Sequence, residues 1–240
     1  KTLTLTHGTM QVEVQPQTPN HPLRIRIPQA QVVVVGTVIT LHADAERTRL
    51  AVDHGVVRLR SDSRGERAVG AGQSVTADRF GLRAPGQPVF AWEAGRSDNP
   101  TPVLGKLTTA PDGRACLKAL QDQETTQVVA VTFDTPGAWC AYDPRTVVTC
   151  RVWLGSTVKW AGFYVQDYVH HHHGQWHVPL DQRETWRDVR FTLGELEGAA
   201  TPAPTMGDVL HIVMLQAQFA PNAELFVDRI TITPPDSPAP

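Results

Sequence analysis

The sequence predicts an all-β protein, and three observations support that fold class. Residues 23–27, Leu-Arg-Ile-Arg-Ile, alternate apolar and basic side chains, as does a strand with one buried and one solvated face. Valine and threonine, which favour extended backbone, dominate many segments. The 19 prolines and 18 glycines supply the turns that a chain of short strands needs.

The composition sets limits on the function. With 240 residues, one large or two modest domains are expected, and a hydrophobic fraction of 41% is sufficient for a core. The formal net charge of −2 offers no overall attraction to polyanions, so we expect no nucleic-acid partner. No apolar run reaches the length of a membrane-spanning helix, so we expect no membrane span within these residues.

The first block, residues 1–84, continues the strand pattern. Residues 32–35 are apolar on both faces and predict a buried strand. Residues 48–52, 56–60 and 73–77 add further strands, separated by turn-forming clusters and spaced roughly ten residues apart. This spacing favours a β-sandwich or a β-helix-like stack.

Three glycine motifs interrupt this block. They are Ile-Pro-Gln-Ala-Gln-Val-Val-Val-Val-Gly-Thr at 27–37, Asp-His-Gly-Val-Val-Arg-Leu at 53–59 and Gly-Ala-Gly-Gln-Ser-Val at 70–75. We expect their glycines to fix turns, because glycine adopts positive φ without strain. We expect the adjacent Thr37 and Gln73 to form hydrogen bonds with nearby backbone groups.

The order and spacing of these motifs resemble the FecR domain, over roughly residues 10–80. This domain is the extracytoplasmic module of bacterial transmembrane regulators that pass a surface signal to a sigma factor. The resemblance implies a non-catalytic role and an extracytoplasmic location, in the periplasm, at the cell surface or secreted. Because the chain begins at Lys1 without a signal peptide, we expect a processed or trimmed piece whose membrane anchor lies upstream.

A change in composition marks the predicted boundary between two domains. Residues 85–105 contain the turn-forming stretches Pro-Gly-Gln-Pro at 85–88 and Ser-Asp-Asn-Pro-Thr-Pro at 97–102 and are predicted to form a linker. Residues 106–233 form a second all-β block, within which 114–121 is a candidate short helix. The Pro-rich tail, 234–240, cannot join a sheet interior, so we expect it to be frayed or a linker.

Two segments of the second block have a distinctive strand pattern. They are Trp-Arg-Asp-Val-Arg-Phe-Thr-Leu at 186–193 and Glu-Leu-Phe-Val-Asp-Arg-Ile-Thr-Ile at 224–232. Both resemble strands of galactose-binding-like jelly rolls, the fold of many carbohydrate-binding modules, and a concanavalin-like sandwich is the competing fold. A FecR-like domain followed by such a sandwich resembles planctomycete-type surface proteins. The resemblance implies that the second domain binds carbohydrate.

An aromatic strand face is the first candidate site. Tyr164, Gln166 and Tyr168 share one face of a predicted strand, and Trp160 and Trp176 flank it. Aromatic rings stack on the C–H faces of sugars, while amides form hydrogen bonds with the hydroxyls. The alternative is that Trp153, Trp160 and Trp186 are core anchors and that the tyrosines cap the sandwich edge. The further residues predicted to share this face are His170, His172, Gln216 and Gln218.

Two groups are candidates for metal binding. Imidazoles bind transition metals, and the candidate ligands are His170, His172 and His177. Asp228 occupies the position from which, as the jelly-roll resemblance implies, a structural Ca²⁺ is often bound. The alternatives are a polar loop for the histidines and a salt bridge for Asp228.

The chain has three cysteines, an odd number that argues against a dense disulfide framework. In an oxidising compartment the candidate bridge is Cys140–Cys150. The alternative, given equal weight, is that Cys116, Cys140 and Cys150 are buried thiols.

Recognisable catalytic motifs are absent from the sequence. Gly-x-Ser-x-Gly, Walker A, His-Glu-x-x-His and Gly-x-Gly-x-x-Gly do not occur, so we expect no enzyme. We predict a non-catalytic binding or signalling protein whose partner is a glycan or a cell-surface protein. One alternative is a structural subunit of an envelope layer or extracellular filament, assembled as a homo-oligomer. Another is a glycan-active enzyme whose paired carboxylates are brought together only by the fold.

Overall fold

The computed structural model describes residues 1–15, 22–34, 36–61, 65–78, 81–121, 128–134, 140–167, 174–198, 209–219 and 224–236. The chain forms two compact units: unit 1 is Lys1–Gln87 with Pro235–Pro240, and unit 2 is Pro88–Pro234. Both units consist of β-strands, and the 3₁₀ turn Leu193–Glu195 is the only helical element in the described ranges. The all-β fold class is therefore confirmed. None of the described helical structure has the length or apolarity needed to cross a membrane.

The described residues of unit 1 form ten strands in two five-stranded sheets. In chain order they are β1 (Thr2–Thr4), β2 (Gly8–Glu13), β3 (Leu23–Ile27), β4 (Ala30–Val34), β5 (Val38–Ala43), β6 (Arg47–His54), β7 (Val56–Ser61), β8 (Gly65–Gly70), β9 (Ser74–Asp78) and β10 (Gly81–Arg83). One sheet has the order β1-β3-β4-β7-β8 and the other the order β10-β9-β6-β5-β2. Strands β1 and β3 are parallel, and the remaining pairs are antiparallel.

The core of unit 1 lies between these two sheets. In β3, Ile25 and Ile27 are buried while Arg24 and Arg26 are exposed, as the alternation predicts. Ile25 from one sheet and Leu50 from the other belong to the same fully buried apolar cluster. Unit 1 is therefore a β-sandwich in which one face of each sheet is buried.

The turn at Gly55 shows why glycine is required there. Gly55 has a φ of +84°, and a Cβ at this position would lie 2.5 Å from Thr37 Cγ2 and 2.7 Å from the Gly36 carbonyl oxygen. Only glycine permits both that backbone conformation and that close approach. As predicted, the Gln73 side chain accepts a hydrogen bond from the Gly70 amide at 2.9 Å. The Thr37 hydroxyl, in contrast, is buried without a hydrogen-bond partner among the described residues, so its predicted role is wrong.

The start of the Pro-rich tail is attached to unit 1. Arg47 Nη1 donates a hydrogen bond to the Pro235 carbonyl at 3.3 Å, and the Gly86 amide donates to the Asp236 carboxylate at 3.1 Å. The prediction of a frayed tail is therefore wrong at these two residues. Residues 237–240 lie outside the described residues.

In unit 2, the part of the chain that the structure describes forms thirteen strands in two sheets. In chain order they are β11 (Phe90–Glu93), β12 (Lys106–Thr109), β13 (Ala115–Lys118), β14 (Leu120–Gln121), β15 (Val128–Asp134), β16 (Cys140–Ala141), β17 (Val147–Leu154), β18 (Val158–Asp167), β19 (Gly174–His177), β20 (Trp186–Thr192), β21 (Glu197–Gly198), β22 (Val209–Phe219) and β23 (Leu225–Thr233). The six-stranded sheet has the order β12-β13-β23-β17-β20, with β11 also paired to β23. The seven-stranded sheet has the order β14-β15-β22-β18-β19-β21, with β16 also paired to β22.

Aromatic side chains join the two sheets of unit 2. Phe163 of the seven-stranded sheet meets Phe191 of the six-stranded sheet edge to face, with centroids 5.1 Å apart. Phe90 and Phe133 form a second such pair at 5.2 Å. Because Phe90 lies in β11, part of the segment predicted as a linker, 85–105, is a paired strand with a core residue.

Candidate functional site

The candidate site lies on the outer face of the seven-stranded sheet in unit 2. Along β18, Phe163 and Val165 are buried in the core, whereas Trp160, Tyr164 and Gln166 are half-buried. This is the alternation of a strand with one face in the core. Trp160, Tyr164 and Gln166 therefore lie on the same, outward-directed face.

The indole of Trp160 lies over Gly162 of its own strand. A Cβ on Gly162 would come within 2.6 Å of Trp160 Cζ2 and 2.7 Å of Trp160 Cη2. Non-bonded carbon atoms do not approach so closely, since their optimal separation is about 3.5–4.0 Å. The missing side chain of Gly162 thus provides the space that lets the indole rest on the sheet.

Trp160 is held in place by His177 of the neighbouring strand β19. Trp160 Nε1 donates a hydrogen bond to His177 Nδ1 at 2.6 Å, and the ring centroids are 5.6 Å apart. Because an indole N–H can only donate, His177 Nδ1 is the acceptor, and His177 Nε2 lies 2.9 Å from Gln175 Nε2 on the same strand. The Tyr164 ring also contacts Trp160, with centroids 5.9 Å apart. We call Trp160, Tyr164 and His177 the aromatic platform.

Polar side chains border the aromatic platform on the adjacent strands. Gln216 of β22 is directly opposite Gly162, and Gln175 of β19 is directly opposite Tyr164. Side chains of directly paired residues point to the same face of a sheet, so amides flank the rings on both sides. The bordering residues placed on this face by the strand register are Gln175, Glu197, Gln216 and Gln218.

A hollow of about 470 Å³ adjoins the aromatic platform at the β19 side. Its lining residues are Gln175, Trp176, His177, Glu195 and Glu197. Hydrogen bonds from the backbone N–H and the hydroxyl of Thr192, at 2.6 and 2.8 Å, lower the pKa of Glu195 and keep its carboxylate ionised. Burial raises the pKa of Tyr164, so its phenol stays protonated and remains a hydrogen-bond donor at neutral pH.

Trp176 does not belong to the aromatic platform, contrary to the sequence prediction. It pairs with Phe163 across the strands and stacks on Phe191, with centroids 4.5 Å apart and an interplanar angle of 6°. Its position on the other face of β19 follows from the strand period, because it lies between Gln175 and His177. Tyr168, His170 and His172 lie outside the described residues.

Asp228 takes part in an ion-pair network. Its Oδ2 atom lies 3.2 Å from Arg114 Nη1 and 3.8 Å from Arg151 Nη1. Both guanidinium groups also lie over the Trp186 ring, 5.5 and 6.0 Å from its centroid. Two cations already neutralise this carboxylate, which disfavours a Ca²⁺ ion that needs six to eight oxygen ligands. Within the described ranges, no group of three His, Cys, Asp or Glu side chains is placed to hold a metal ion.

The predicted disulfide between Cys140 and Cys150 is not formed in this structure. Cys150 is a free, buried thiol in β17 of the six-stranded sheet, whereas Cys140 lies in β16 of the seven-stranded sheet. Burial raises the pKa of Cys150, and burial also raises the pKa of Cys116, another free thiol, to about 11. Both thiols are therefore protonated and unreactive at neutral pH.

Sequence reasoning located the strand of the platform but missed two residues that shape it. Gly162 has no predicted role. A glycine between Trp160 and Tyr164 on the same strand face nevertheless indicates that a neighbouring side chain packs closely against the backbone. His177 was assigned to metal binding, whereas the structure brings it to Trp160. The contact follows from the pairing of β18 with β19. Trp160 and His177 are 17 positions apart, so the local sequence does not indicate that they meet.

The N-terminal block of unit 1 can now be compared with known families. Residues 1–58 match the family model described as FecR protein. This match confirms the FecR resemblance for about a quarter of the chain. No curated protein is similar enough in sequence to match.

Solved structures show weak similarity to this chain. A proposed anti-sigma factor from Parabacteroides distasonis has 17% identity and a TM-score of 0.30, covering 35% of this chain and 41% of its own. The family 11 carbohydrate-binding module from Clostridium thermocellum, in complex with a β-1,3-1,4-mixed-linked tetrasaccharide, has 8% identity and a TM-score of 0.41, covering 60% and 88%. A carbohydrate-binding module of a Cellvibrio mixtus lichenase, in complex with cellotriose, has 11% identity and a TM-score of 0.35, covering 62% and 98%. This chain thus spans less than half of that anti-sigma factor chain.

Proposed function

We propose that this chain is a non-catalytic, extracytoplasmic binding protein of the FecR-like type, and that unit 2 binds a glycan on the aromatic platform. One observation carries this proposal: Trp160 lies over Gly162 and is fixed there by a hydrogen bond to His177. A preorganised aromatic surface binds with a smaller loss of conformational freedom than a mobile side chain.

The chemistry of the platform suits a sugar. An indole beside a phenol offers two aromatic surfaces for the C–H groups of a pyranose ring. The flanking amides of Gln175 and Gln216 and the carboxylate of Glu197 can donate to or accept from ring hydroxyls. This combination of an apolar surface with a few placed polar groups is typical of small-molecule and carbohydrate sites.

The match of residues 1–58 to the FecR family supports a role in signalling across the cell envelope. In this proposal unit 2 engages the glycan, or a glycan-bearing surface partner, and unit 1 supports or transmits that contact. Binding rather than turnover is the proposed activity.

A glycan array probed with the full chain tests the proposal. The glycan retained on the array is then titrated by calorimetry against the wild type, Tyr164→Ala and a control. Leu107→Ala is a suitable control, because Leu107 is 68% exposed and lies in β12 of the six-stranded sheet, whereas the platform lies in the seven-stranded sheet. We expect Tyr164→Ala to weaken binding and Leu107→Ala to leave it unchanged. A folded chain that retains no glycan on the array contradicts the proposal.

A further inference from the structure

Unit 1 has a strongly basic sheet surface that its FecR resemblance does not explain. Strand β3 exposes Arg24 and Arg26, and strand β7 exposes Arg58 and Arg60. These arginines alternate with buried residues, so all four point away from the core of unit 1. We call Arg24, Arg26, Arg58 and Arg60 the basic face.

The strand register arranges the basic face as a regular grid. Gln31 of β4 is paired with Arg26 on one side and Arg60 on the other, and Val33 is paired in the same way with Arg24 and Arg58. Neighbouring strands are about 4.8 Å apart, so the two arginine-bearing strands are separated by roughly 10 Å. Along each strand the two arginines are about 7 Å apart.

The positive charge of this grid is only partly compensated. Arg58 Nη1 lies 3.6 Å from Glu66 Oε1 in an exposed pair, and Arg24 donates to the Gln31 side chain at 3.2 Å. Such exposed ion pairs are weak and open readily to a competing anion. Among the described residues, Arg26 and Arg60 make no ion pair within the chain. A local concentration of guanidinium groups therefore exists in a protein whose net charge is −2.

A hollow of about 530 Å³ opens at one end of the basic face. Arg26 and Arg60 line it together with Gln31, and no acidic side chain is among its lining residues in the described part of the chain. The turn beside it is fixed by Gln29, which donates to the carbonyls of Asp44 and Ala45 and accepts from the Thr48 hydroxyl at 2.7 Å. The hollow is thus basic and within the range of about 300–1,000 Å³ usual for small-ligand sites.

We propose that the basic face binds an anionic polysaccharide, with a carboxylated or sulfated sugar residue in the hollow between Arg26 and Arg60. Guanidinium groups pair with planar carboxylates and with sulfate through two parallel hydrogen bonds. Arg24 and Arg58 then bind the next anionic group of the polymer, because they lie about 7 Å farther along the same two strands. The proposal concerns unit 1 and does not depend on the aromatic platform.

The composition of the basic face favours a polysaccharide over other polyanions. Protein interfaces centre on aromatic and large apolar residues. The two cross-strand rows of the basic face are Arg24-Val33-Arg58 and Arg26-Gln31-Arg60, and Val33 is the largest apolar side chain in them. Proteins that bind single-stranded nucleic acid stack bases on aromatic rings, and the described rows contain none. An exposed grid of guanidinium groups around Gln31 and Val33 suits a linear chain of charged sugars.

The test is calorimetric titration of the full chain with four probes at low ionic strength. The probes are an oligogalacturonate, a heparin-derived oligosaccharide, a neutral galacto-oligosaccharide and a short DNA duplex. We expect one of the two anionic oligosaccharides to bind, and which one does so distinguishes a carboxylate from a sulfate ligand. We expect any binding of the neutral oligosaccharide to be the same whether or not the arginines of the basic face are present. Added salt should weaken binding of the anionic oligosaccharide.

Two double variants with the same change in charge make the test specific. Arg26→Gln with Arg60→Gln removes the hollow's arginines. Arg49→Gln with Arg190→Gln removes one arginine from β6 and one from β20, strands that carry no residue of the basic face. We expect the first pair to weaken binding at least about tenfold and the second less than about twofold. Circular dichroism and the urea midpoint verify that the variants are folded. Equal loss in both pairs, no binding of either anionic oligosaccharide, or tighter binding of the DNA duplex overturns the proposal.

Discussion

Trp160 occupies the space that a side chain on Gly162 would fill, with Trp160 Cζ2 only 2.6 Å from the position of the missing Cβ. The two residues lie on the same face of β18, and the bulge between Val158 and Trp160 precedes them. The orientation of the indole therefore depends on the absence of a single methyl group. The proposed glycan site rests on this pair of residues.

Gly162→Ala is predicted to displace Trp160 and weaken glycan binding by about tenfold or more, a loss of at least about 1.4 kcal/mol. The strand itself tolerates alanine, so the free energy of unfolding should change by less than about 1 kcal/mol. Calorimetry measures the first effect and urea unfolding the second. Gly70→Ala is the matched control, because a Cβ at Gly70 meets only Gln73, at 3.6 Å. Unchanged affinity in folded Gly162→Ala contradicts the role given to the indole.

His177→Leu removes the acceptor of the Trp160 N–H group, whereas His177→Asn retains an acceptor near the Nδ1 position. A hydrogen bond of this kind contributes about 0.5–1.5 kcal/mol, so we expect His177→Leu to weaken glycan binding roughly three- to tenfold. His177→Asn should retain most of the affinity. The comparison is made by calorimetry with the same glycan. If both variants lose affinity equally, the hydrogen bond is not what positions Trp160.

Asp228→Asn is predicted to lower the free energy of unfolding by about 1–3 kcal/mol, because Arg114 and Arg151 lose their common anionic partner. Asp188→Asn is the control, since the Asp188–Arg229 pair is exposed and should cost less than about 1 kcal/mol. Urea unfolding measures both. Millimolar Ca²⁺ should leave the wild-type midpoint unchanged. A Ca²⁺-dependent rise that Asp228→Asn abolishes would support the calcium alternative instead.

Cys150 is predicted to be a free thiol that reacts only after unfolding. Iodoacetamide should leave Cys150 unlabelled in the native protein at neutral pH, since burial both shields the thiol and raises its pKa. In denaturant without a reductant, Cys150 should be fully alkylated. Peptide mass spectrometry distinguishes the cysteines. Alkylation that requires a reductant would show that Cys150 is in a disulfide after all.

The fold class and the strand carrying the site could be predicted because strands with one buried face alternate in sequence. Tyr164 and Gln166 were correctly placed on one face for this reason. Trp176 is predicted to flank this face but lies on the core side, since the register of β19 against β18 is set by strand pairing and not by local sequence. Residues 115–118, within a predicted short helix, form a strand because β12 and β23 pair with it on both sides.

Most ion pairs between distant residues could not be predicted from local sequence patterns. Asp228 is separated from Arg114 by 114 positions, and no local pattern records that the two groups meet. The same holds for the basic face, where strand pairing brings β3 and β7 to either side of β4. The net charge of −2 gives no indication of this local concentration of arginines, because it is a sum over the whole chain.

The measurement that tests the account most directly is titration of Trp160→Ala against the glycan that the wild type binds, with Leu107→Ala titrated in parallel. Loss of the indole removes the main aromatic surface of the platform, so we predict that Trp160→Ala raises the Kd at least about tenfold. Leu107→Ala should match the wild type. Wild-type affinity in a folded Trp160→Ala variant would contradict the proposed site.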